Sequence, residues 1–538
     1  MVQTIYFNGD LITMTGMETN PEALVTEGRI ISYIGSLSEA EMRAQADTRY
    51  VDLNGKTLMP AFIDPHSHIM EKAEFFQYAD LSGCQSFQDI VQVLQEHMKT
   101  RHIGEDGVVV GVGYDHNALR EGRHPDKYVL DAVSRQIPIY IRHASSHMGV
   151  GNSRMMELAG IHDNTPDPEG AKFGRVTAAG EPNGYTEELN AMAYCYTVID
   201  SRTAADWEIL LAEAQQYYLS YGITTAQDGA TNRQSFEILK RLAEQGKFDI
   251  DIVCYIRSDE NPEDMIEKNP SYAKGYRHRL KIGGCKNFLD GSPQGKTAWL
   301  SQPYEGETSY CGYAAMSDKQ LTEYLLTAID HGRQVLSHCN GDAAADQYIR
   351  CYQKALALSR HPDKMRLRPV MVHCQTVRKD QLEAMVPLHM IPSFFVGHTY
   401  YWGDVHLKNL GVARGSRISP VREALERGLI YNFHRDTPVV SADMLHSVWA
   451  AVNRITKNGV SIGPEWRIGV YDALKGITCH AAYAYGEEKN KGTLEEGKLA
   501  DLVILDQNPL KVQPIAIQDI QVMETIKEGC SLYQREHL

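Results

Sequence analysis

The sequence predicts an α/β fold: a (β/α)8 TIM-type barrel, a small β-sandwich domain from both chain ends, and an α/β subdomain inserted after strand one. Short apolar segments alternate with amphipathic helical segments from residue 58 onward, and both chain ends are rich in strand and turn patterns. One gap between apolar segments is too long for a single crossover. The predicted bounds are 1–57 and 491–538 for the β-sandwich, 58–490 for the barrel and about 70–215 for the insertion.

The two ends of the chain are similar in style. Residues 1–57 contain TIYFNGDLITM, ALVTEGRIISYIG and TRYVDLNGKTLMP, in which short apolar runs flank Asn-Gly or Glu-Gly turns. LADLVILD and VMETIKEGCSLY near the other end repeat this pattern. We therefore expect the two ends to meet in one β domain.

Eight apolar segments are the candidate barrel strands. Helical stretches such as LTEYLLTAIDHG and VREALERG lie between most of them and end at Gly. Near-continuous apolar strands with helical crossovers are typical of a parallel barrel. The predicted strands are 58–64, 222–228, 250–256, 280–289, 334–339, 369–374, 391–397 and 430–436.

The insertion follows the first of these strands. It contains α/β signals of its own, DIVQVLQEHMKT, GVVVGVGYD and IPIYIRHASSH. Loops at the carboxyl ends of barrel strands line the barrel mouth, so an insertion there is expected to wall or cover a site.

Composition and charge exclude several classes. The 538 residues are 43% apolar and 23% charged, and 54 basic against 69 acidic side chains give a net charge of −15. This balance argues against nucleic acid or an anionic membrane surface as the main partner. The ten Cys form no CxxC pair, and neither a signal peptide nor an apolar run of about 18 residues is present. We expect a cytoplasmic protein.

Metal-ligand residue types stand at the ends of several predicted strands. In LMPAFIDPHSHI, the residues Asp64, His66 and His68 share parity, so a strand there would direct all three to one face. A single His at a strand end is more often a hydrogen-bonded core residue. Because carboxyl ends converge at one barrel mouth, chance placement of the whole set is improbable. The set is His66, His68, Lys286, Asp290, His338, His373, His434 and Asp436.

Neutral imidazoles and carboxylates suit Zn²⁺ and related divalent ions. Lys286, in IGGCKNFL, needs its own explanation, because an uncompensated buried ammonium is costly. Burial lowers a Lys pKa and leaves a nucleophilic amine that can add CO₂ and become an anionic carbamate ligand. A neutral or ion-paired Lys286 beside a single metal is the alternative.

Several stretches resemble the amidohydrolase superfamily. PAFIDPHSH is similar to its strand-one signature, and KGTLEEGKLADLVILDQNPL (491–510) to its return into a β-sandwich. KNFLDGSPQGKTA, SHCNGDAAAD, VHCQTV, SFFVGHTYYWGDVH and HRDTPV resemble the YtcJ-like branch, amidohydrolase 3, which includes N-substituted formamide deformylases. The resemblance covers nearly the whole chain.

The resemblance implies two metal ions and roles for six residues. His66 and His68 would bind the more buried ion, His338 and His373 the second, and Lys286, N6-carboxylated, would bridge them. Asp436 would be a ligand and the catalytic proton shuttle. Two Zn²⁺ ions are expected, and Mn²⁺, Co²⁺ or Fe²⁺ would suit nearly the same ligands.

The sequence departs from the family pattern at three places. Ala61 stands where Gly is usual, Arg435 precedes Asp436 where many members have Ser, and 293–296 read PQGK where Leu-Gly-Ser-Arg is common. His434, two residues before Asp436, shares its face and is a candidate for the substrate pocket. The change at 293–296 alters the loop over the metals and leaves the substrate open rather than the chemistry.

The expected activity is hydrolysis of an amide-type C–N bond by metal-activated hydroxide, with an N-substituted formamide as the leading substrate class. One alternative is a hydrolase of a cyclic imide or lactam, a heterocycle or an ester. The other is a non-catalytic regulatory protein on the same fold, although all six expected ligand positions are occupied.

Aromatic residues in the insertion and in two loops are the other substrate-binding candidates. They favour a small neutral substrate with an aromatic or apolar group, although packing between barrel and insertion would explain them equally well. Dimers are common in the superfamily, so a homodimer is compatible, but the sequence does not indicate an oligomeric state. The candidates are Tyr114, His147, Trp299, Tyr400, Tyr401 and Trp402. Glu187, in NGYTEE, is a weaker candidate that is better explained as a solvated helix start.

Overall fold

The computed structural model describes residues 2–17, 20–169, 171–177, 180–202 and 206–535. They form two compact units. One consists of residues 1–69 and 215–538, and the other is the inserted segment Met70–Ala214. None of the helices in these ranges has the length and apolar composition needed to cross a bilayer.

The first unit is organised around an eight-stranded, all-parallel sheet. Its strands follow one another in sequence order, with the first and the eighth at the two edges. From first to eighth they are Phe62–Ile63, Ile223–Thr231, Asp251–Arg257, Leu280–Phe288, Gln334–Cys339, Val370–His373, Ile391–Phe394 and Asn432–Phe433.

Hydrogen bonds just beyond the two edge strands join the ends of this sheet. The backbone N–H of Asp436 donates to the carbonyl of His66 at 3.1 Å, and that of His68 donates to the carbonyl of Thr437 at 2.8 Å. The segments that carry the predicted ligands of strands one and eight are therefore held side by side.

The predicted first strand, 58–64, is wrong as a single strand. Thr57–Pro60 pairs in a different sheet, and only Phe62–Ile63 belongs to the eight-stranded one. The chain changes sheets at Ala61, whose N–H donates to the carbonyl of Asp501. Pro65 has no N–H to continue a ladder, so His66 and His68 lie after the strand rather than in it.

Strands near the two chain ends pair with each other. A five-stranded sheet joins strands from both ends, and a four-stranded sheet comes from the N-terminal segment alone. Residues of both sheets, including Leu24, Leu58 and Leu502, pack in one apolar core. In sheet order the strands are Asp10–Leu11, Thr57–Pro60, Leu502–Leu505, Val522–Lys527 and Cys530–Gln534, then Ile30–Gly35, Ala23–Glu27, Gln3–Phe7 and Arg49–Asp52.

The inserted unit has a mixed six-stranded sheet with its own apolar core. Two central strands, Val109–Tyr114 and Ile139–His143, run parallel, and their carboxyl ends are adjacent because His143 pairs with Tyr114. In sheet order the strands are Lys172–Arg175, Pro182–Glu187, Met148–Gly151, Ile139–His143, Val109–Tyr114 and Ala79–Asp80.

Helices connect most strands of the eight-stranded sheet. Asp318–Asp330 begins at a Ser317–Gln320 capping box, and Met444–Asn453 is buried along its whole length. The α-helices are Leu37–Met42, Ile69–Phe75, Phe87–Thr100, Lys127–Asp131, Ser153–Leu158, Leu189–Arg202, Trp207–Ser220, Arg233–Glu244, Pro262–Lys268, Pro270–Ala273, Asp318–Asp330, Asp342–Leu358, Lys379–Met385, His398–Tyr401, Gly403–Gly415, Val421–Glu426, Met444–Asn453, Val470–Lys475 and Cys479–Ala484.

Candidate metal centre

Potential metal donors converge at the carboxyl ends of the eight strands. Nε2 of His68 lies 3.1 Å from Oδ1 of Asp436, and Nε2 of His66 lies 3.4 Å from the same oxygen. Nε2 of His66 is also 3.4 Å from Nζ of Lys286. Strands one, four and eight therefore bring three residue types suited to metal binding to one point.

Strands five and six place two further imidazoles beside this point. Nε2 of His373 lies 4.0 Å from Oδ2 of Asp436, and the rings of His373 and His338 are 4.5 Å apart between centroids. All six ligands that the family resemblance implies are thus near one another, in a group that spans five strands.

Two of these residues have an unusual backbone conformation. The φ angle is +70° at His373 and +53° at Asp436. Left-handed backbone at a residue other than glycine costs on the order of 1–3 kcal/mol and persists where the surroundings enforce it, most often at functional sites. The fold therefore holds both side chains in place at a cost to stability.

Hydrogen bonds from neighbouring side chains orient His66 and His338. Oε1 of Gln227 lies 2.7 Å from Nδ1 of His66, and the Gln227 amide donates to Pro65 and Tyr485, which fixes its orientation. Oδ1 of Asp290 lies 3.1 Å from Nδ1 of His338. Each contact keeps the proton on Nδ1, so that the lone pair of Nε2 is available to a metal.

Gln227 is a site residue that sequence reasoning missed. It lies within the second strand, in ITTAQD, where a buried Gln carries no metal-binding signal. Its partner is 161 residues away in the chain, so only the fold brings them together. Asp290 belongs to the predicted set of metal-ligand residue types, and in the structure its carboxylate orients His338.

Burial controls the protonation of the centre. It lowers the pKa of Lys286 to about 8, with Asp436 opposing the shift, and it lowers the pKa of His66 and His373 well below the ordinary value. Burial would raise the pKa of Asp436, but the hydrogen bond with His68 outweighs it and holds this pKa well below the ordinary value. Neutral imidazoles and an ionised carboxylate are the forms that bind metals.

His434 lies inside the cluster rather than at an open wall. It is fully buried; its Nδ1 is 2.9 Å from Oγ of Ser393, and its Nε2 is 3.3 Å from Nδ1 of His373. The ring of Phe395 lies 5.4 Å from that of His434 and 6.1 Å from that of His373. Phe395 is a second residue beside the centre that the sequence analysis missed.

The Arg435 departure has a structural explanation. Its guanidinium is fully buried and donates to the carbonyl of Ser441, to Nδ1 of His446 and to the hydroxyl of Tyr401. Arg435 therefore anchors the segment after strand eight to Tyr401 and to the buried helix Met444–Asn453.

The aromatic candidates of this unit differ in their surroundings. The Tyr400 ring packs on His446 and Trp449 at 4.8 and 5.5 Å, and the Trp402 ring packs on His398 and Phe395 at 4.6 and 6.0 Å. Trp299 is half-buried, and its backbone N–H donates to Oδ2 of Asp290. Trp402 and Trp299 thus adjoin residues that contact the centre, whereas Tyr400 packs on a helix.

The candidates in the inserted unit belong to its own structure. Tyr114 is fully buried, and its hydroxyl lies 2.9 Å from Nδ1 of His124. His147 has a side chain 45% exposed and pairs with Glu188 at 3.0 Å, while Glu187 accepts from the hydroxyl of Tyr185. None of these contacts involves the metal centre.

A polar cavity lies away from the centre. Its volume is about 710 Å³, and Asp251, Lys281, Glu487 and Lys491 line it together with other residues near the amino ends of strands three and four. In parallel α/β sheets, ligands bind outside the carboxyl ends of the strands. We therefore place the functional site at the cluster of donors.

The donor set fits a divalent metal ion. Around a tetrahedral Zn²⁺ with bonds of about 2.0–2.1 Å, donors lie about 3.3–3.4 Å apart, close to the 3.1 and 3.4 Å between Asp436 and the two imidazoles. The ring nitrogens that face away are held by Gln227 and Asp290, the arrangement typical of metal-bound histidines.

Comparisons with known proteins agree with this geometry. A family model described as "Amidohydrolase family" matches residues 49–533. The chain is 25% identical to an N-substituted formamide deformylase of Arthrobacter pascens, over 99% of each chain. It is also 25% identical to an amidohydrolase-named protein, YtcJ, of Bacillus subtilis (strain 168), over 99% of this chain and 100% of that one.

A solved structure of similar fold agrees with the sequence comparisons. A metal-dependent hydrolase from Pyrococcus furiosus superposes with a TM-score of 0.76 at 26% identity, over 95% of this chain and 100% of that one. Overall fold and relatives therefore point to the same chemistry as the cluster of donors.

Proposed function

The chain belongs to the amidohydrolase family and is a hydrolase of carbon–nitrogen bonds, and we propose that it removes the formyl group from an N-substituted formamide. The observation that carries this proposal is the convergence of His66 and His68 on the Asp436 carboxylate, with the Lys286 amine beside His66. The full-length match to a formamide deformylase supports the substrate class.

We further propose that the centre holds two divalent ions, Zn²⁺ by preference, with Mn²⁺, Co²⁺ or Fe²⁺ as substitutes. His66 and His68 would hold one ion and His338 and His373 the other. Asp436 would be a ligand, and Lys286 would bridge as an N6-carboxylated side chain. The neutral amine that carboxylation requires is favoured by the pKa of about 8. Bound ions supply Lewis acidity and lower the pKa of a coordinated water.

Asp436 is the proton carrier in this mechanism. Oδ1 faces His66 and His68, and Oδ2 lies on the side of His373. The carboxylate, ionised beforehand, accepts the proton of the attacking water and donates it to the amide nitrogen, because that nitrogen leaves readily only as a neutral amine. The low pKa of Asp436 keeps the carboxylate ionised between turnovers.

The rest of the chain supports this centre in two ways. We propose that the eight strands form a (β/α)8 barrel. The backbone hydrogen bonds of Asp436 to His66 and of His68 to Thr437 would close it in place of a regular β-ladder between strands one and eight. The two terminal sheets act as a β-sandwich around their common core. Trp299 and Trp402 are the proposed contacts for a neutral substrate with an apolar or aromatic group on nitrogen.

The test is a substrate panel at a defined metal content. N-benzyl- and N-butylformamide, the matching acetamides, a cyclic imide and an aryl ester are scored for amine or alcohol release, and formate is measured separately. We expect formamides to give equimolar amine and formate, chelator to abolish release, and Zn²⁺ or Mn²⁺ to restore it. Release only from the imide or the ester, or full activity without metal, would refute the proposal.

A further inference from the structure

The inserted unit carries a second group of metal-ligand residues. Asp115 and His116 follow the strand Val109–Tyr114, and His143 ends the neighbouring strand Ile139–His143. The two strands are parallel, with Tyr114 paired to His143. Three donors from the carboxyl ends of adjacent strands therefore come together, all within Met70–Ala214.

The three donor atoms form a compact triangle. Nδ1 of His116 is 3.1 Å from Nε2 of His143, Oδ1 of Asp115 is 3.5 Å from that Nε2, and the same oxygen is 3.8 Å from Nδ1 of His116. Donors around one Zn²⁺ with bonds of about 2.0–2.1 Å lie about 3.3–3.4 Å apart, so these separations match a single ion.

From this geometry we propose that Asp115, His116 and His143 form a binding site for one divalent transition-metal ion, Zn²⁺ by preference. Its three ligands are different residues from those of the centre at the carboxyl ends of the eight strands. Three protein donors leave a fourth position for water, and the partial exposure of the Asp115 and His116 side chains, 39% and 27%, gives an ion access from solvent.

The surroundings of the three donors restrict their motion. Oδ1 of Asp115 accepts from the backbone N–H and the side-chain amide of Asn117 at 2.9 and 3.0 Å. The His116 ring stacks on that of His124 at 4.0 Å between centroids, and His124 is held by the Tyr114 hydroxyl. The site is therefore largely formed before an ion arrives.

His143 must change its tautomer when the ion binds. The backbone N–H of Ser145 faces Nδ1 at 3.0 Å, so the metal-free ring carries its proton on Nε2, pointing toward His116. The Ser145 hydroxyl, 2.9 Å from Nδ1, can instead accept a proton from Nδ1. The proton moves from Nε2 to Nδ1, and Nε2 becomes a donor to the ion. The exchanged hydrogen bond costs about 1 kcal/mol, small beside the binding energy of such ions.

The experiment measures metal in the full chain after exhaustive chelation. Zn²⁺ binding is followed by calorimetry, Co²⁺ binding by its visible absorption, and bound Zn²⁺ by elemental analysis. The wild type should bind one equivalent more than the Asp115→Asn, His116→Ala and His143→Ala variants. A chain with His66→Ala and His68→Ala should retain the Co²⁺ signal of the second site.

Matched variants separate binding from folding. His162→Ala removes an exposed histidine of the same unit and should leave the stoichiometry unchanged. Ser145→Ala keeps the backbone N–H but removes the acceptor that the metal-bound tautomer needs, so it should weaken this binding about 10–100-fold. Circular dichroism identifies variants that fail to fold. Equal stoichiometry in folded wild type and Asp115→Asn, or no effect of Ser145→Ala on affinity, would overturn the proposal and leave a hydrogen-bonded histidine pair.

Discussion

Oδ1 of Asp290 lies 3.1 Å from Nδ1 of His338, while the two oxygens of the same carboxylate accept the backbone N–H groups of Asn340, Gly341 and Trp299. Asp290 is thus a buried carboxylate that orients one predicted ligand and is itself held rigidly by the loop after strand five and by the loop after strand four.

Asp290→Asn should weaken metal binding about 10–100-fold, because an amide replaces the carboxylate that fixes the His338 tautomer. Metal affinity is measured by competition with a chromophoric chelator. Asp342→Asn is the matched control: Asp342 is also buried and accepts from Ser301 and Arg378, but it does not contact His338. Asp342→Asn should lose stability and keep its metal affinity. Equal losses of metal affinity in the two variants would contradict the role of Asp290 in orienting His338.

Asp436→Asn should lower kcat by at least about 10²–10⁴-fold, the typical contribution of a general acid–base group, while most of the bound metal remains. Steady-state assays and elemental analysis of the same preparation check this. Asp363→Asn, which alters a carboxylate 59% exposed, should behave as wild type. A rate near that of the wild type in Asp436→Asn would show that another group moves the proton.

Reconstitution of the metal-free protein should depend on bicarbonate through Lys286. With a pKa of about 8, roughly a quarter of the Lys286 amines are neutral at pH 7.5, against about one in a thousand for an unperturbed Lys. Activity recovered with Zn²⁺ should therefore rise with added bicarbonate and with pH up to about 8. Lys286→Met should abolish the response. The same recovery in CO₂-free buffer would argue for a bare amine.

Asp64 should make the stability of the metal-free protein depend on pH. Burial raises the pKa of Asp64 to about 7, whereas an unfolded Asp titrates at about 3.9. Between about pH 3.9 and 7 the folded state binds one proton more than the unfolded state. The stabilisation that protonated Asp64 contributes is therefore complete below about pH 3.9 and is lost as pH rises toward 7, by up to about 1.4 kcal/mol per pH unit.

Asp64→Asn should remove this slope, because the neutral amide can still accept from the His66 N–H as Oδ1 does. Urea midpoints at pH 5, 6, 7 and 8 measure it. The wild type should lose stability relative to the variant as pH increases. Parallel curves for the two proteins would mean that Asp64 remains ionised in the fold.

Arg435→Ser restores the residue that is common in the family and should nevertheless destabilise this protein by about 3 kcal/mol or more. The change leaves a cavity and unpaired buried groups at Ser441, His446 and Tyr401. Thermal unfolding measures the loss, and activity well below the melting temperature should persist. Arg422→Ser, an exposed helix pair with Glu426, should change stability by less than about 0.5 kcal/mol. Similar losses in the two variants would contradict the anchoring role.

The sequence predicts the eight strands and the ligand types at their ends because both follow from simple periodicities. It does not predict the partners of those ligands. Gln227 reaches His66 only because strands one and two are neighbours, and Phe395 lies beside His373 and His434 only through the order of the sheet. The break at Ala61 was missed because an uninterrupted apolar run looks the same whether it serves one sheet or two.

The group around Asp115 carried a signal that could have been used. GYDH and IRH both place candidate ligands at the ends of apolar strands, the same pattern that identified His338 and His373. The sequence analysis assigns the insertion only a role as a wall or cover of the barrel mouth. What the sequence lacks there is the parallel pairing of the two strands, which decides whether the ends meet.

The bonds between the His66 and Asp436 segments have a consequence for the newly made chain. His68 and Asp436 are 368 positions apart, and closing a loop of that length costs about 5 kcal/mol in chain entropy. A ribosome-bound chain has no complete centre until the eighth strand has emerged and joined the first. Metal loading is therefore a late event, restricted to chains whose synthesis is nearly finished, and a prematurely terminated product cannot hold a metal ion in this geometry.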